Sequence, residues 1–215
     1  MSRLALTNYH IKLLAALFMV IDHVGYVLVD NNSTMRLIGR LSFPLFAWLL
    51  VQGEAHTRNI WRYGIRLLIF AVISQPIYQY TFQIFTLDLN ILFTLLIGLA
   101  CLRGARRYPS TQLIIWVLGA AIAQLLRVNY GAYGIGVIAL IRFYRNSPIW
   151  WSAWVAVHLL SWIEYGASQF PAVITPGIFM LANHQLGPKA RWFYLFYPVH
   201  LAILWYLRVE FIPTA

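Results

Sequence analysis

The sequence predicts an all-α protein built as a polytopic transmembrane helical bundle, and three observations carry that expectation. Hydrophobic residues make up 61% of the chain and charged residues 10%, with a mean hydropathy of +0.68. A soluble domain carries about 25% charged residues. The apolar residues also come in long runs, and the segments between them are short and basic. No soluble domain fits between the runs, so the 215 residues are expected to form one integral-membrane domain.

The runs fall at 11–29, 41–53, 65–83, 89–102, 112–126, 132–144, 149–163, 172–184 and 192–208. Those at 11–29, 65–83 and 192–208 approach the roughly 20 residues that cross a bilayer. The runs at 89–102, 132–144 and 172–184 are shorter and read as tilted, re-entrant or bundle-buried segments. The expected count is about nine spans, within eight to ten.

Orientation comes from the basic residues, which accumulate in cytoplasmic loops. With the N-terminus cytoplasmic, Arg3, Lys12, Arg58, Arg62, Arg66, Arg103, Arg106, Arg107, Arg142, Arg145, Lys189 and Arg191 all fall on the inner side. Arg36, Arg40, Arg127 and Arg208 do not. Nine spans would place the C-terminal Phe211–Ala215 outside. The formal net charge of +10 is thereby read as topology, with no nucleic-acid partner expected. A lone Cys101 excludes an intramolecular disulfide and a multi-cysteine metal site. No cleavable leader is expected, because the first run is long and lacks an A-x-A-like site.

The first run carries the most informative anomaly. From Ile11 to Gly25 it is apolar except for Lys12 and the pair Asp22-His23. Ionisable groups deep in a span are costly and are kept where they pair internally or do chemistry. Lys12 and His23 are eleven residues apart, which puts them on nearly one helix face and ~16 Å apart along the axis. Neighbouring side chains diverge by about 100°, so Asp22 is expected to pair with an arginine from another segment. His23 lies past the bilayer centre, toward the outside, where an imidazole suits general-base chemistry near neutral pH. The alternative role is a structural hydrogen bond between helices.

Other residues extend the candidate site. Arg36 and Arg40 sit one turn apart at the outer mouth and suit either an anionic group of an acceptor or Asp22 itself. Arg58, Arg62 and Arg66 repeat every four residues in an inner loop, a basic ridge suited to phosphates such as those of a coenzyme A carrier. Asn90 places an amide in a short span, and Tyr130 lies in the glycine-interrupted turn 129–134. Tyr197 and His200 flank Pro198 in the last run, which makes a site wall there. His158 reads as structural. There is no G-x-S-x-G elbow, no H-E-x-x-H zinc helix and no Walker loop, and no metal is expected.

Six segments in register resemble the TraX family, named for the acetylase of conjugative-pilus pilin. They are IDHVG at 21–25, RLIGRLSFPLFAWLLV at 36–51, HTRNIWRYGIRLLIFAVIS at 56–74, NILFTLLIGL at 90–99, YGAYG at 130–134 and FYLFYPVHL at 193–201. Gln52 and Asn129 carry amides where that pattern commonly has acidic residues. The family is similar to a wider group of transmembrane acyltransferases. One branch of that group has a basic residue, ten intervening residues and a histidine in an early span, and Lys12 and His23 match that spacing.

The resemblance implies an enzyme of the inner, cytoplasmic membrane that takes acetyl-CoA as acyl donor. It implies an extracytoplasmic acceptor, either a pilin N-terminus or an envelope glycan. His23 would act as general base or transient acyl carrier, supported by Asp22. Lys12, Arg58, Arg62 and Arg66 would hold the carrier, and Arg36, Arg40, Asn90, Tyr130, Tyr197 and His200 would face the acceptor. The rival readings are a transporter with Asp22, His23 and His200 as a proton relay, and a non-catalytic pilus or envelope assembly factor.

Overall fold

Thr7 opens the first helix with a reciprocal cap. Its hydroxyl accepts the His10 backbone N–H at 3.4 Å, and its own N–H donates to His10 Nδ1 at 3.2 Å. From this start α1 (Asn8–Val27) continues for 20 residues. The computed structural model describes residues 5–188, 190 and 192–211; Arg3, Lys189, Arg191 and Ile212–Ala215 lie outside the described residues.

Asparagines start three of the later helices by accepting a backbone N–H that would otherwise lack a partner. Asn32 starts α2 (Ser33–Gly39), Asn59 starts α4 (Ile60–Phe82), and Asn90 starts α5 (Ile91–Arg107). Between them runs α3 (Ser42–His56), with Pro44 in its first turn, where a missing N–H does no harm. Gln83 ends α4 in the left-handed region at φ 54°. The chain continues through α6 (Gln112–Leu125), α7 (Gly131–Arg142) and α8 (Pro148–Tyr165). A 3-10 stretch, Gly166–Ile174, leads to the four-residue α9 (Pro176–Phe179), and α10 spans Phe193–Phe211.

The all-α expectation holds: the described residues form helices and two isolated β-bridges, Leu6 with Ala182 and Leu89 with Val128. One predicted run does not form a continuous helix. Residues 172–184 are divided among the end of the 3-10 stretch, α9 and an irregular segment, because Pro171 and Pro176 each remove a backbone donor. Among the described residues, two stretches, Asn8–Val27 and Ser33–His56, are long and apolar enough to cross a membrane. Several helices also turn apolar side chains outward. On α4, Trp61, Ile65, Leu68 and Val72 are exposed at helical spacing, and on α6 Leu113, Val117 and Leu118 are exposed. Such exposed apolar stripes mark surfaces that meet a membrane or another protein.

The chain divides into two compact units. The first holds the described residues through Leu49 and from His158 onward; the second is Leu50–Val157. In the first unit, α1 and α2 pack with glycines at their contacts. A β-carbon at Gly25 would lie 2.6 Å from Met35 Cβ, and one at Gly39 would overlap Asp22. Ser42 Oγ donates to the Ala15 carbonyl at 2.8 Å, tying the start of α3 to α1. Trp48 stacks on Phe179 at 4.7 Å and donates to Asn8 Oδ1 at 3.2 Å. Helix α10 runs in the same direction as α1, since Lys12 meets Phe193 and, eleven residues on, His23 meets His200.

In the second unit, α5 packs on α4, α6 and α7. Close approach is set by Gly98, whose missing side chain admits Ile138, and by Gly119, which admits Cys101. Trp150 stacks on Trp154 at 5.1 Å and donates to the Leu140 carbonyl at 2.8 Å, joining α8 to α7.

Candidate functional site

The first unit gathers seven of the residues singled out in the sequence. Three come from α1, and their order along it is fixed by helical geometry: Lys12 at one end, Asp22 and His23 near the other. On the neighbouring α10, Phe193, Phe196 and His200 are spaced three and four residues apart and therefore share a face. Lys12 Nζ lies over the Phe193 ring, 5.1 Å from its centre. Phe193 stacks on Phe196 at 5.5 Å, and Phe196 stacks on His200 at 4.6 Å with 11° between the planes. An aromatic stripe thus runs beside α1 from its cationic foot to its imidazole.

At the far end the two histidines meet. His23 Nδ1 and His200 Nε2 are 2.9 Å apart, and His200 Nδ1 donates to the Phe196 carbonyl at 2.8 Å. His200 is buried, whereas His23 keeps partial exposure. Tyr197, also buried, packs against His200 with 5.6 Å between ring centres.

Asp22 points into a second group of side chains. Arg36 Nη1 donates to its Oδ2 at 2.8 Å, and Arg40 Nη2 stands 4.0 Å from its Oδ1. Arg36 also lies over the Tyr26 ring at 4.8 Å. Asp22 therefore pairs with arginine from α2, as helix geometry requires of a residue one step from His23. Arg36 is committed to that pair and to Tyr26, while Arg40 stays in the cluster at a longer distance. The glycine at 39 makes this possible, because any side chain there would displace Asp22.

The model of the family described as TraX protein matches residues 8–208. The chain belongs to the TraX family. It is 28% identical over 227 residues to the probable fimbrial assembly protein FimC, serogroup H1, of Dichelobacter nodosus, covering 91% of this chain and 93% of that protein. It is 30% identical over 213 residues to Protein TraX of Escherichia coli (strain K12), covering 90% of this chain and 84% of that protein. No solved structure matches the chain.

Five other candidate site residues of this TraX-family sequence, Arg58, Arg62, Arg66, Asn90 and Tyr130, belong to the second unit. Arg58 precedes α4, and Arg62 and Arg66 lie one turn apart on it; all three are exposed. Asn90 is fully buried and heavily used. Its Nδ2 donates to the Ala71 carbonyl at 2.8 Å and to Gln75 Oε1 at 2.9 Å, and its Oδ1 accepts the Leu92 N–H at 3.0 Å. With both amide protons engaged, Asn90 caps α5 and bridges to α4, and it has no proton left for an oxyanion. Tyr130 starts α7 from the left-handed region at φ 68°, its ring 6.0 Å from Tyr133.

Two features escaped the sequence reading. The stripe of Phe193 and Phe196 is available as a spacing of three and four leading to His200, but phenylalanines in an apolar run read first as packing residues. The other is Glu54, near the end of α3. It is a buried carboxylate that accepts from Arg106 Nε at 3.0 Å and Nη2 at 2.7 Å, with Arg103 3.8 Å away. Its signal was its position inside an apolar helix, which a charge needs a partner to occupy.

Proposed function

We propose that this TraX-family chain is a multi-pass protein of the inner, cytoplasmic membrane that transfers an acetyl group from cytosolic acetyl-CoA to an extracytoplasmic acceptor. The acceptor class is the N-terminus of a pilin-type protein or an envelope glycan. The observation that most supports this reading is the alignment in the first unit: Lys12, the aromatic stripe and the His23–His200 pair in sequence along two parallel helices. With α1 crossing N-terminus inside, Lys12 stands at the inner end for the anionic carrier. His23 stands ~16 Å further out, where an acceptor arrives from the other side. The outward apolar stripes on α4 and α6 support further crossings.

The chemistry asks little of the protein beyond a base and a positive field. His23 takes the proton from the acceptor amine or hydroxyl as its heteroatom attacks the thioester carbonyl. The carbon–sulfur bond breaks as the new bond forms, and the thiolate leaves to be protonated. Arg40, held in the Asp22 cluster, supplies positive charge for the oxyanion. Arg58, Arg62 and Arg66 form an exposed cationic ridge suited to the phosphates of the carrier, and replacing all three with alanine is expected to weaken acetyl-CoA binding measured by calorimetry.

The experiment uses the full chain purified in detergent. Acetyl-CoA binding is measured by calorimetry, and transfer by labelled acetyl incorporation into envelope membranes. His23→Ala is expected to lower transfer by about 10²–10⁴-fold while leaving binding intact. Lys12→Ala is expected to weaken binding first. A wild-type chain with no affinity for acetyl-CoA removes the donor and with it the reading. The name of the Dichelobacter relative favours a second reading, a non-catalytic assembly factor. Full fimbrial assembly by His23→Ala would decide for it.

A further inference from the structure

His200 is the second imidazole of the site, and the proposed transfer gives it no task. We infer that His200 is a positioning residue that fixes the tautomer of His23, so that the lone pair stands on His23 Nε2. The inference rests on the proposed role of His23 as base.

The argument begins at the backbone. The Phe196 carbonyl has no proton to give, so the 2.8 Å contact requires that His200 Nδ1 carry one. A neutral imidazole has a single N–H, which makes His200 Nε2 an acceptor. His23 Nδ1, 2.9 Å away, must then be the donor. That spends the one proton of neutral His23 on Nδ1 and leaves Nε2 as its basic nitrogen. The ring geometry agrees: the planes differ by 9° and the centres are 5.1 Å apart. With nitrogens at 2.9 Å, the two rings lie edge to edge in nearly one plane, the direction of an imidazole lone pair.

The surroundings hold His200 to this duty. Phe196 stacks on one face at 4.6 Å, and Tyr197 packs at 5.6 Å. Hydrolytic triads give the same task to a carboxylate, which orients and polarises its histidine. Here Asp22 is engaged by Arg36 at 2.8 Å, and a second imidazole sets the tautomer without adding a charge to the bundle. When His23 accepts a proton at Nε2, its bond to His200 becomes charge-assisted and steadies the imidazolium.

The test reads nitrogen protonation directly. The full chain is labelled with 15N-histidine in detergent, and the His23 signals are assigned by their loss in His23→Ala. The expected spectrum has His23 protonated on Nδ1 and unprotonated on Nε2. His200→Phe keeps a ring on Phe196 but removes both nitrogens. It should mix the His23 tautomers and lower acetyl transfer by about 100-fold, with acetyl-CoA affinity unchanged. His200→Gln, whose amide can accept from His23 and donate to the Phe196 carbonyl, should recover most of the rate. A wild-type His23 protonated on Nε2 overturns the inference, as does His200→Phe with an unchanged His23 spectrum. If His200→Phe does not fold, the wild-type spectrum and His200→Gln decide it. If the wild-type chain transfers no acetyl group, the enzyme reading fails, while the nitrogen spectrum still decides the tautomer.

Discussion

Each unit of this chain holds a carboxylate facing two arginines, and the two clusters are finished differently. In the second unit Glu54 is nearly dry, its side chain 1% exposed, and both of its oxygens are filled by Arg106. Arg106 and Arg103 reach outward, at 39% and 54% exposure, so their charges keep contact with the surroundings. In the first unit Asp22, Arg36 and Arg40 are all largely shielded, at 12%, 23% and 10%. Asp22 Oδ1 accepts no hydrogen bond among the described residues. A complete bidentate pair is what a structural clamp needs. The Asp22 cluster differs in leaving one carboxylate oxygen unfilled and in standing beside a histidine pair, the arrangement that the proposed transfer would use for developing charge. Under the proposed transfer, the Glu54 cluster serves stability and the Asp22 cluster serves the chemistry.

The largest effect that can break this comparison is Arg106→Leu. Removing the bidentate partner strands a buried Glu54 charge, and a loss of about 3–5 kcal/mol in unfolding free energy is expected from thermal denaturation in detergent. A loss below about 1 kcal/mol would mean that Arg103 takes over the pairing and that the clamp is not specific. Asp22→Asn is expected to cost less stability, about 1–3 kcal/mol, because the amide can still accept from Arg36. Its larger consequence should be on acetyl transfer. Equal stability losses with unchanged transfer would erase the distinction between the clusters.

Packing glycines give the smallest and most graded test. Gly39→Ala drives a β-carbon into Asp22 and should destabilise by about 1–3 kcal/mol while disturbing the site. Gly64→Ala on α4 meets only Leu96 and Leu99 carbons at 3.9 Å, an ordinary contact. There the helix should gain about 0.4–1 kcal/mol, because alanine restricts the unfolded chain. A neutral Gly39→Ala would show that α1 and α2 can separate without consequence for Asp22.

Much of this was legible in the order of residues. The apolar runs at 11–29, 65–83 and 89–102 predict helices because hydrophobic patterning acts locally, and the structure starts those helices with caps at Thr7, Asn59 and Asn90. The run at 172–184 misled, since its composition is apolar while two prolines deny it a continuous backbone ladder. Asn90 misled in the other direction. An amide in a span is a candidate for chemistry until its neighbours are known, and Ala71 and Gln75 consume both of its protons.

The sequence by itself determined that the chain is helical, that it belongs with the TraX family, and that Lys12 and His23 share a face of one helix. Those are consequences of composition, motif and the fixed rise of an α-helix. Only the tertiary structure decided what His23 meets. Its partner is 177 residues away on α10, and no local periodicity relates positions so distant. Parallel packing of the first and last helices brings His200 within 2.9 Å of His23.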